Sequence, residues 1–231
     1  MHFKILFDNY TNKKDLMPLW GFSCYIEEKK LLFDTGSNGR VLLRNAQKMG
    51  VDLKEAKYLF ISHPHWDHIG GLDSVLEINP DMVVFLPKSF SIHLIRDIKK
   101  FAKEVVVIDE NPTKLLPSLY STGVMQHLEQ SLIIDTPKGG VVVTGCSHPG
   151  IVNIVKRAKE VLDKDIYYAI GGFHLFQTPD SEILEIALKL KELGLECVTP
   201  THCSGKRAAQ IFKEVFKDGF KEGGVGEVID C

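Results

Sequence analysis

The sequence predicts an α+β protein, an αββα sandwich of two mixed β-sheets with helices on both outer faces, folded as a single domain over residues 1–231. Three observations carry this expectation. Short apolar runs of strand character alternate with amphipathic stretches at helical spacing through most of the chain. Two hairpin patterns, 21–26 with 30–33 and 131–135 with 140–144, each run into a helix, so the chain reads as two similar ββ-plus-helix halves packed face to face. Four strand ends, at Ser62, Thr144, Ile170 and Thr199, are each followed within a few residues by a histidine, which one active site at a single rim explains economically.

Taken in order, Phe3, Ile5 and Phe7 mark a first strand that Asp8-Asn9 ends, and the polar stretch 10–19 is a candidate rim. The first hairpin turns at Glu27-Glu28-Lys29. Asp34-Thr35-Gly36 follows it, and 39–48 reads as a helix with Val41, Leu42 and Ala46 inward. The run 58–61 is a buried strand, 72–77 a short helix, 82–86 a strand, 89–100 a helix and 105–108 a strand. Between 111 and 127, Pro112, Pro117 and Gly123 break the periodicity and predict short strands and loops. The second hairpin turns at Pro137-Lys138-Gly139 and feeds a helix over 151–162. A strand over 165–170 ends at Gly171-Gly172, a helix covers 181–193, a strand 196–199, a helix 205–216, and 227–229 reads as an edge strand.

Composition narrows the functional classes. At 231 residues, 44% hydrophobic and 25% charged, the chain supports one large core and is too short for two ordinary domains with a linker. A formal net charge of −2 leaves no basic surplus for a phosphate backbone, so nucleic acid is not the expected partner. The N-terminus has no long apolar segment with a small-residue cleavage site, and no run of about 18 apolar residues occurs. The expectation is a cytoplasmic chain without membrane contact. Five cysteines, an odd number without framework spacing, argue for reduced thiols rather than a disulfide scaffold.

The stretch Ser62-His63-Pro64-His65-Trp66-Asp67-His68-Ile69-Gly70-Gly71 concentrates more metal-ligand side chains than any other ten residues. In extended backbone, residues i and i+2 project to the same side, so His63 and His65 can share an ion while Pro64 points away. Asp67 and His68 follow a bend and reach a second ion. Imidazole and carboxylate suit zinc, manganese and iron alike. Asp34 reads from its own chemistry equally well as a turn residue.

His63-Pro64-His65-Trp66-Asp67-His68 resembles the signature of the metallo-β-lactamase superfamily. Gly145-Cys146-Ser147-His148-Pro149-Gly150, Gly171-Gly172-Phe173-His174-Leu175 and Pro200-Thr201-His202-Cys203-Ser204-Gly205 look like its dihydropteroate-synthase-like branch, that of the 7,8-dihydropterin-6-methyl-4-(β-D-ribofuranosyl)aminobenzene-5'-phosphate synthases. The resemblance spans essentially the whole chain and implies the metallo-β-lactamase fold with two divalent transition-metal ions, zinc first, manganese or iron as alternatives. It implies His63, His65 and His148 on one ion and Asp67, His68 and His202 on the other, about 3.5–4 Å apart with a water or hydroxide between them. It also makes Asp34 a support of the metal loop.

The chain departs from the family where a glycine-aspartate would bridge the ions, since Cys146 stands there; a bridging thiolate and a buried structural thiol are both open. His148 is taken as the ligand and His127 as a rim residue, because Glu129-Gln130 fit the family pattern upstream of that strand. His174 reads as a ligand, a proton donor or a plain loop histidine. The expected function is a dinuclear metal-dependent hydrolase using a metal-bound hydroxide on a small anionic phosphoester or lactone, with Asp67 and His174 catalytic. The alternatives are a pterin transferase of the dihydropteroate-synthase type and a non-catalytic metal-binding protein. Ser204 and Lys206 are candidate substrate-anion contacts at the start of the last helix, Ser204 having a cap as its other reading.

Overall fold

The computed structural model describes residues Met1–Cys231. The chain divides into two compact units, Met1–Asp109 with Gly224–Cys231, and Glu110–Gly223.

In the first unit the order is β1 (His2–Phe7), β2 (Ser23–Ile26), β3 (Leu31–Phe33), α1 (Gly39–Lys48), β4 (Tyr58–Phe60), α2 (Trp66–Ile69), α3 (Leu72–Ile78), β5 (Val83–Pro87), α4 (Ile92–Phe101) and β6 (Glu104–Ile108). The strands β1 to β3 pair antiparallel, and β3 to β6 pair parallel. The switch occurs at β3 because the chain leaves it through a helix, and a crossover is what parallel pairing requires. Asn38 starts α1 by accepting the Val41 N–H on its side-chain oxygen (3.1 Å), and the helix buries Leu42, Asn45 and Ala46. Leu42 and Ala46 join Leu6, Leu32, Leu59, Val75 and Val84 in one apolar core.

The second unit repeats the scheme: β7 (Thr113–Leu116), β8 (Leu119–Ser121), β9 (Leu132–Thr136), β10 (Gly139–Thr144), α5 (Ile151–Leu162), β11 (Ile166–Gly172), α6 (Asp180–Glu192), β12 (Cys197–Thr201) and α7 (Gly205–Phe216). Here β7 to β10 pair antiparallel and β10 to β12 parallel. Ile154, Ala158, Ala169, Ala187, Ile211 and Phe212 share its core. The last strand, β13 (Val228–Asp230), returns to the first unit and pairs antiparallel with β1, giving that unit a seven-stranded sheet; the second unit has a six-stranded one.

Helices α1, α5 and α7 have the bounds that the sequence predicts. Three differences bear on the site. The strand expected to stop at Ile170 continues through Gly171-Gly172 as β11. The histidine loop contains a helical turn, α2, too short to show a periodicity. The fourth α-helix begins at Ile92 because Ser91 caps it, its oxygen accepting the Leu94 N–H at 3.2 Å. No helix is long and apolar enough to cross a membrane.

Candidate metal centre

In each unit, chemistry-bearing residues gather at the carboxyl ends of parallel strands, where open sheets present ligand sites. In the first unit Asp34 leaves β3 in the left-handed region (φ 52°), and the loop after β4 carries His63, His65, Asp67 and His68. A non-glycine residue held there costs about 1 kcal/mol or more and persists only where its surroundings fix it. Here they do. The fully buried Asp34 carboxylate takes the Ser62 N–H on Oδ1 (2.7 Å) and, on Oδ2, the Ser62 hydroxyl (2.7 Å) and His68 Nδ1 (2.7 Å). Ser62 Oγ in turn lies 2.8 Å from His63 Nδ1, so one carboxylate orients two imidazoles through their Nδ1 atoms.

The rings of His63 and His65 have centroids 4.5 Å apart and those of His63 and His68 4.2 Å apart, so the i, i+2 geometry expected from extended backbone holds. Asp67 lies in the first turn of α2, and its Oδ2 accepts the Trp20 indole N–H at 2.9 Å. Gly21 makes that approach possible: at φ 138°, a Cβ there would stand 2.4 Å from the Asp67 carbonyl oxygen.

The second unit builds its counterpart with a different carboxylate. Glu129 is buried, and its Oε1 accepts the N–H groups of Cys146 (2.9 Å) and Ser147 (3.0 Å) and the Thr144 hydroxyl (3.1 Å). Its Oε2 takes the His148 N–H (2.9 Å) and His148 Nδ1 (2.8 Å). This wraps the Gly145-to-His148 turn around one anion and holds the His148 ring through its Nδ1. His202 is buried and its Nε2 lies 3.4 Å from Cys146 Sγ. Ser147, His174 and His202, one after each of three neighbouring strands, all have positive φ (59°, 54° and 50°).

His174 is exposed, with its ring 4.7 Å from that of His148. A hydrogen bond with the Cys203 sulfur raises its pKa above the ordinary imidazole value, against the partial burial that lowers it. Burial would push the Cys203 thiol up, but hydrogen bonds from Cys146 and His174 and the nearby His202 outweigh it and hold the thiol well below its usual range. The donor chemistry in both units therefore fits divalent cations: imidazoles with carboxylate-fixed tautomers, a carboxylate in Asp67, and thiols.

Cys146 is buried, with its sulfur against the His202 ring rather than against its own turn. His127 sits apart, its side chain 92% exposed beside Glu110. Ser204 departs from its reading as a cap. Its hydroxyl makes no cap, and it is fully buried, accepting the Phe173 N–H at 2.9 Å, because the residue braces β11 against the turn before α7. Lys206 is exposed on the first turn of α7. Sequence reasoning passed over Glu129 as a working residue, and also Trp20, Ser62 and Cys203. Only Ser62 adjoins the motif; Trp20 stands 47 positions before Asp67 and Glu129 19 before His148, separations that no local pattern bridges.

Comparison with known proteins agrees with this chemistry. The family model described as the metallo-β-lactamase superfamily matches residues 23–202. A protein of Methanocaldococcus jannaschii named 7,8-dihydropterin-6-methyl-4-(β-D-ribofuranosyl)-aminobenzene-5'-phosphate synthase is 28% identical over 92% of this chain and 91% of its own length. The crystal structure of a metal-dependent hydrolase of the β-lactamase superfamily superposes with a TM-score of 0.85 at 31% identity, covering 100% of this chain and 99% of that one. A metallo-β-lactamase fold protein of Bacillus subtilis, at 15% identity with 99% of both chains covered, shares the fold with a TM-score of 0.72. With its mixed α+β architecture of two mixed sheets, its oriented histidines and a matched stretch running from β2 to His202, the chain belongs to the metallo-β-lactamase superfamily.

Proposed function

We propose that the protein is a metal-dependent hydrolase of a small anionic phosphoester or lactone. Its donors for divalent transition-metal ions, zinc first, are His63, His65, Asp67 and His68 in the first unit and His148 and His202 in the second. The observation that supports this best is the repeated carboxylate–histidine pair, Asp34 with His68 at 2.7 Å and Glu129 with His148 at 2.8 Å. A buried carboxylate on Nδ1 fixes the tautomer that presents Nε2 and raises its basicity. Bound ions would supply Lewis acidity toward a phosphoryl or carbonyl oxygen and toward water.

The chain's own residues do the rest. Asp34 and Glu129 hold the loops, so little reorganisation is left for the reaction. Trp20 fixes the orientation of the Asp67 carboxylate. His174, exposed and favoured in its protonated form, carries the proton for the leaving group. Lys206, exposed at the start of α7, supplies a cation for the substrate's anionic group. A second reading, a transferase joining a pterin methyl diphosphate to a ribosylated aminobenzene phosphate, is favoured by the name of the 28% identical relative.

The test reconstitutes metal-free protein with zinc, manganese or iron(II) and offers it phosphodiesters, lactones and the transferase substrate pair. Hydrolysis that a chelator abolishes, that metal restores and that His65→Ala loses is the expected result. Elemental analysis finding no bound metal after reconstitution would overturn the proposal, and a condensation product without hydrolysis would assign the transferase instead.

A further inference from the structure

The strands β10, β11 and β12 run parallel and in register, with Thr144 opposite Gly171 and Gly172 opposite Thr201. They end at Thr144, Gly172 and Thr201, and the second residue beyond each end is Cys146, His174 and Cys203. Neighbouring strands lie about 4.8 Å apart, and β11 runs one residue past the level of Thr144, so the three donors lie on loops that leave the same end of the sheet within a residue of one another. The two sulfurs and an imidazole nitrogen all lie within 4.8 Å of one another. Gly172 keeps the space between them clear, since a Cβ there would meet Cys203 Sγ at 2.6 Å and the Gly145 carbonyl oxygen at 2.4 Å.

Two buried thiols can serve as small apolar fillers, and Cys24, buried in the first unit, fits that role. Cys146 and Cys203 do not. Cys203 Sγ lies 3.6 Å from the Cys146 carbonyl oxygen, and Cys146 Sγ lies 3.4 Å from His202 Nε2. Such polar surroundings waste a filler but suit sulfur ligands. Two thiols and an imidazole, with a second imidazole next to them, make a donor set for a borderline or soft cation rather than for a hard one.

We propose that Cys146, His174 and Cys203 form a cation site within the second unit, taking a thiophilic ion such as Zn²⁺. The ion displaces the two thiol protons to solvent. Cys203 belongs to no donor set of the proposed hydrolase, so the site stands whether or not that reading does. Where both hold, loading occupies the His174 ring and slows turnover.

The experiment loads the full-length protein with Co²⁺ and follows thiolate-to-cobalt charge-transfer absorption, with metal per chain counted by elemental analysis. Wild type is expected to show the band, His63→Ala/His65→Ala to retain it, and Cys203→Ser to lose at least half of it together with one ion per chain. A Cys203→Ser band equal to wild type would leave Cys146 as the only sulfur ligand and overturn the site, as would no band in wild type. Cadmium-113 NMR of the wild-type protein needs no substitution. A resonance in the two-sulfur range is expected, and resonances confined to the one-sulfur or sulfur-free ranges overturn the proposal independently of how Cys203→Ser folds. Retention of the band with hydrolysis absent would refute the hydrolase and leave the site intact.

Discussion

Glu129→Gln keeps the shape of a buried side chain while removing its charge and half of its accepting capacity. Five donors converge on that carboxylate: three on Oε1, from Cys146, Ser147 and Thr144, and two on Oε2, both from His148. Turned one way, the glutamine amide faces the Cys146 and Ser147 N–H groups; the Thr144 hydroxyl can rotate to accept, but the two amides cannot. Turned the other way, it faces the His148 N–H and Nδ1. At least two charge-assisted hydrogen bonds are lost in either orientation, each worth about 1.5–3 kcal/mol, so a destabilisation of about 3 kcal/mol is a low-end expectation. For a chain of this length that corresponds to a fall in Tm of about 6–12 °C. His148 also loses the partner that fixes its tautomer, and metal affinity should fall by about 10–100-fold. Differential scanning calorimetry and competitive metal titration measure the two effects separately. A Tm within about 2 °C of wild type, combined with unchanged metal affinity, would refute the view that Glu129 organises the turn.

Asp34→Asn should act similarly in the first unit, weakening metal binding by about 10–100-fold, because the amide either turns its NH2 on the Ser62 N–H or presents it to the Ser62 hydroxyl and His68 Nδ1, and in both cases loses the charge that favours them. Metal titration of the variant checks this, and wild-type affinity would remove Asp34 from the argument. Trp20→Phe removes only the indole N–H that reaches Asp67, and Trp20 is 41% exposed. Stability should change by about 1 kcal/mol or less, with metal affinity falling several-fold. Equal affinity in wild type and Trp20→Phe would mean that Asp67 needs no such anchor.

The parts of the fold that could be read in the sequence are those governed by neighbours along the chain. Helices α1, α5 and α7 show periodic apolar residues, and the HxHxDH loop follows a strand whose apolar run marks its own end. Features set by distant partners were not readable. Nothing near Glu129 shows that its carboxylate closes on a turn 17 to 19 residues later. Ser204 looked like a cap because serine before a helix usually is one; tertiary packing gave its hydroxyl to Phe173 instead. Gly171-Gly172 looked like a strand terminus, whereas β11 uses these glycines inside the sheet because the backbone and Cys203 crowd that position. The cysteine–histidine cluster was hidden for another reason: that the loops after β10, β11 and β12 leave neighbouring parallel strands is visible only once the strand order is known.

The pairing of β13 with β1 means that the first unit, begun first, is completed last. The Met1 ammonium donates to the Cys231 carbonyl at 2.7 Å, and residues 224–231 complete a unit whose other strands were all made before residue 110. The second unit is continuous in sequence, so on a ribosome every residue it contains is available while the outer edge of β1 still has no partner. An unpaired strand edge is a template for association between chains. In a nascent or truncated product that stops before residue 224, the β1 edge, far in sequence from every histidine discussed above, is therefore added to the sheet edges open to association.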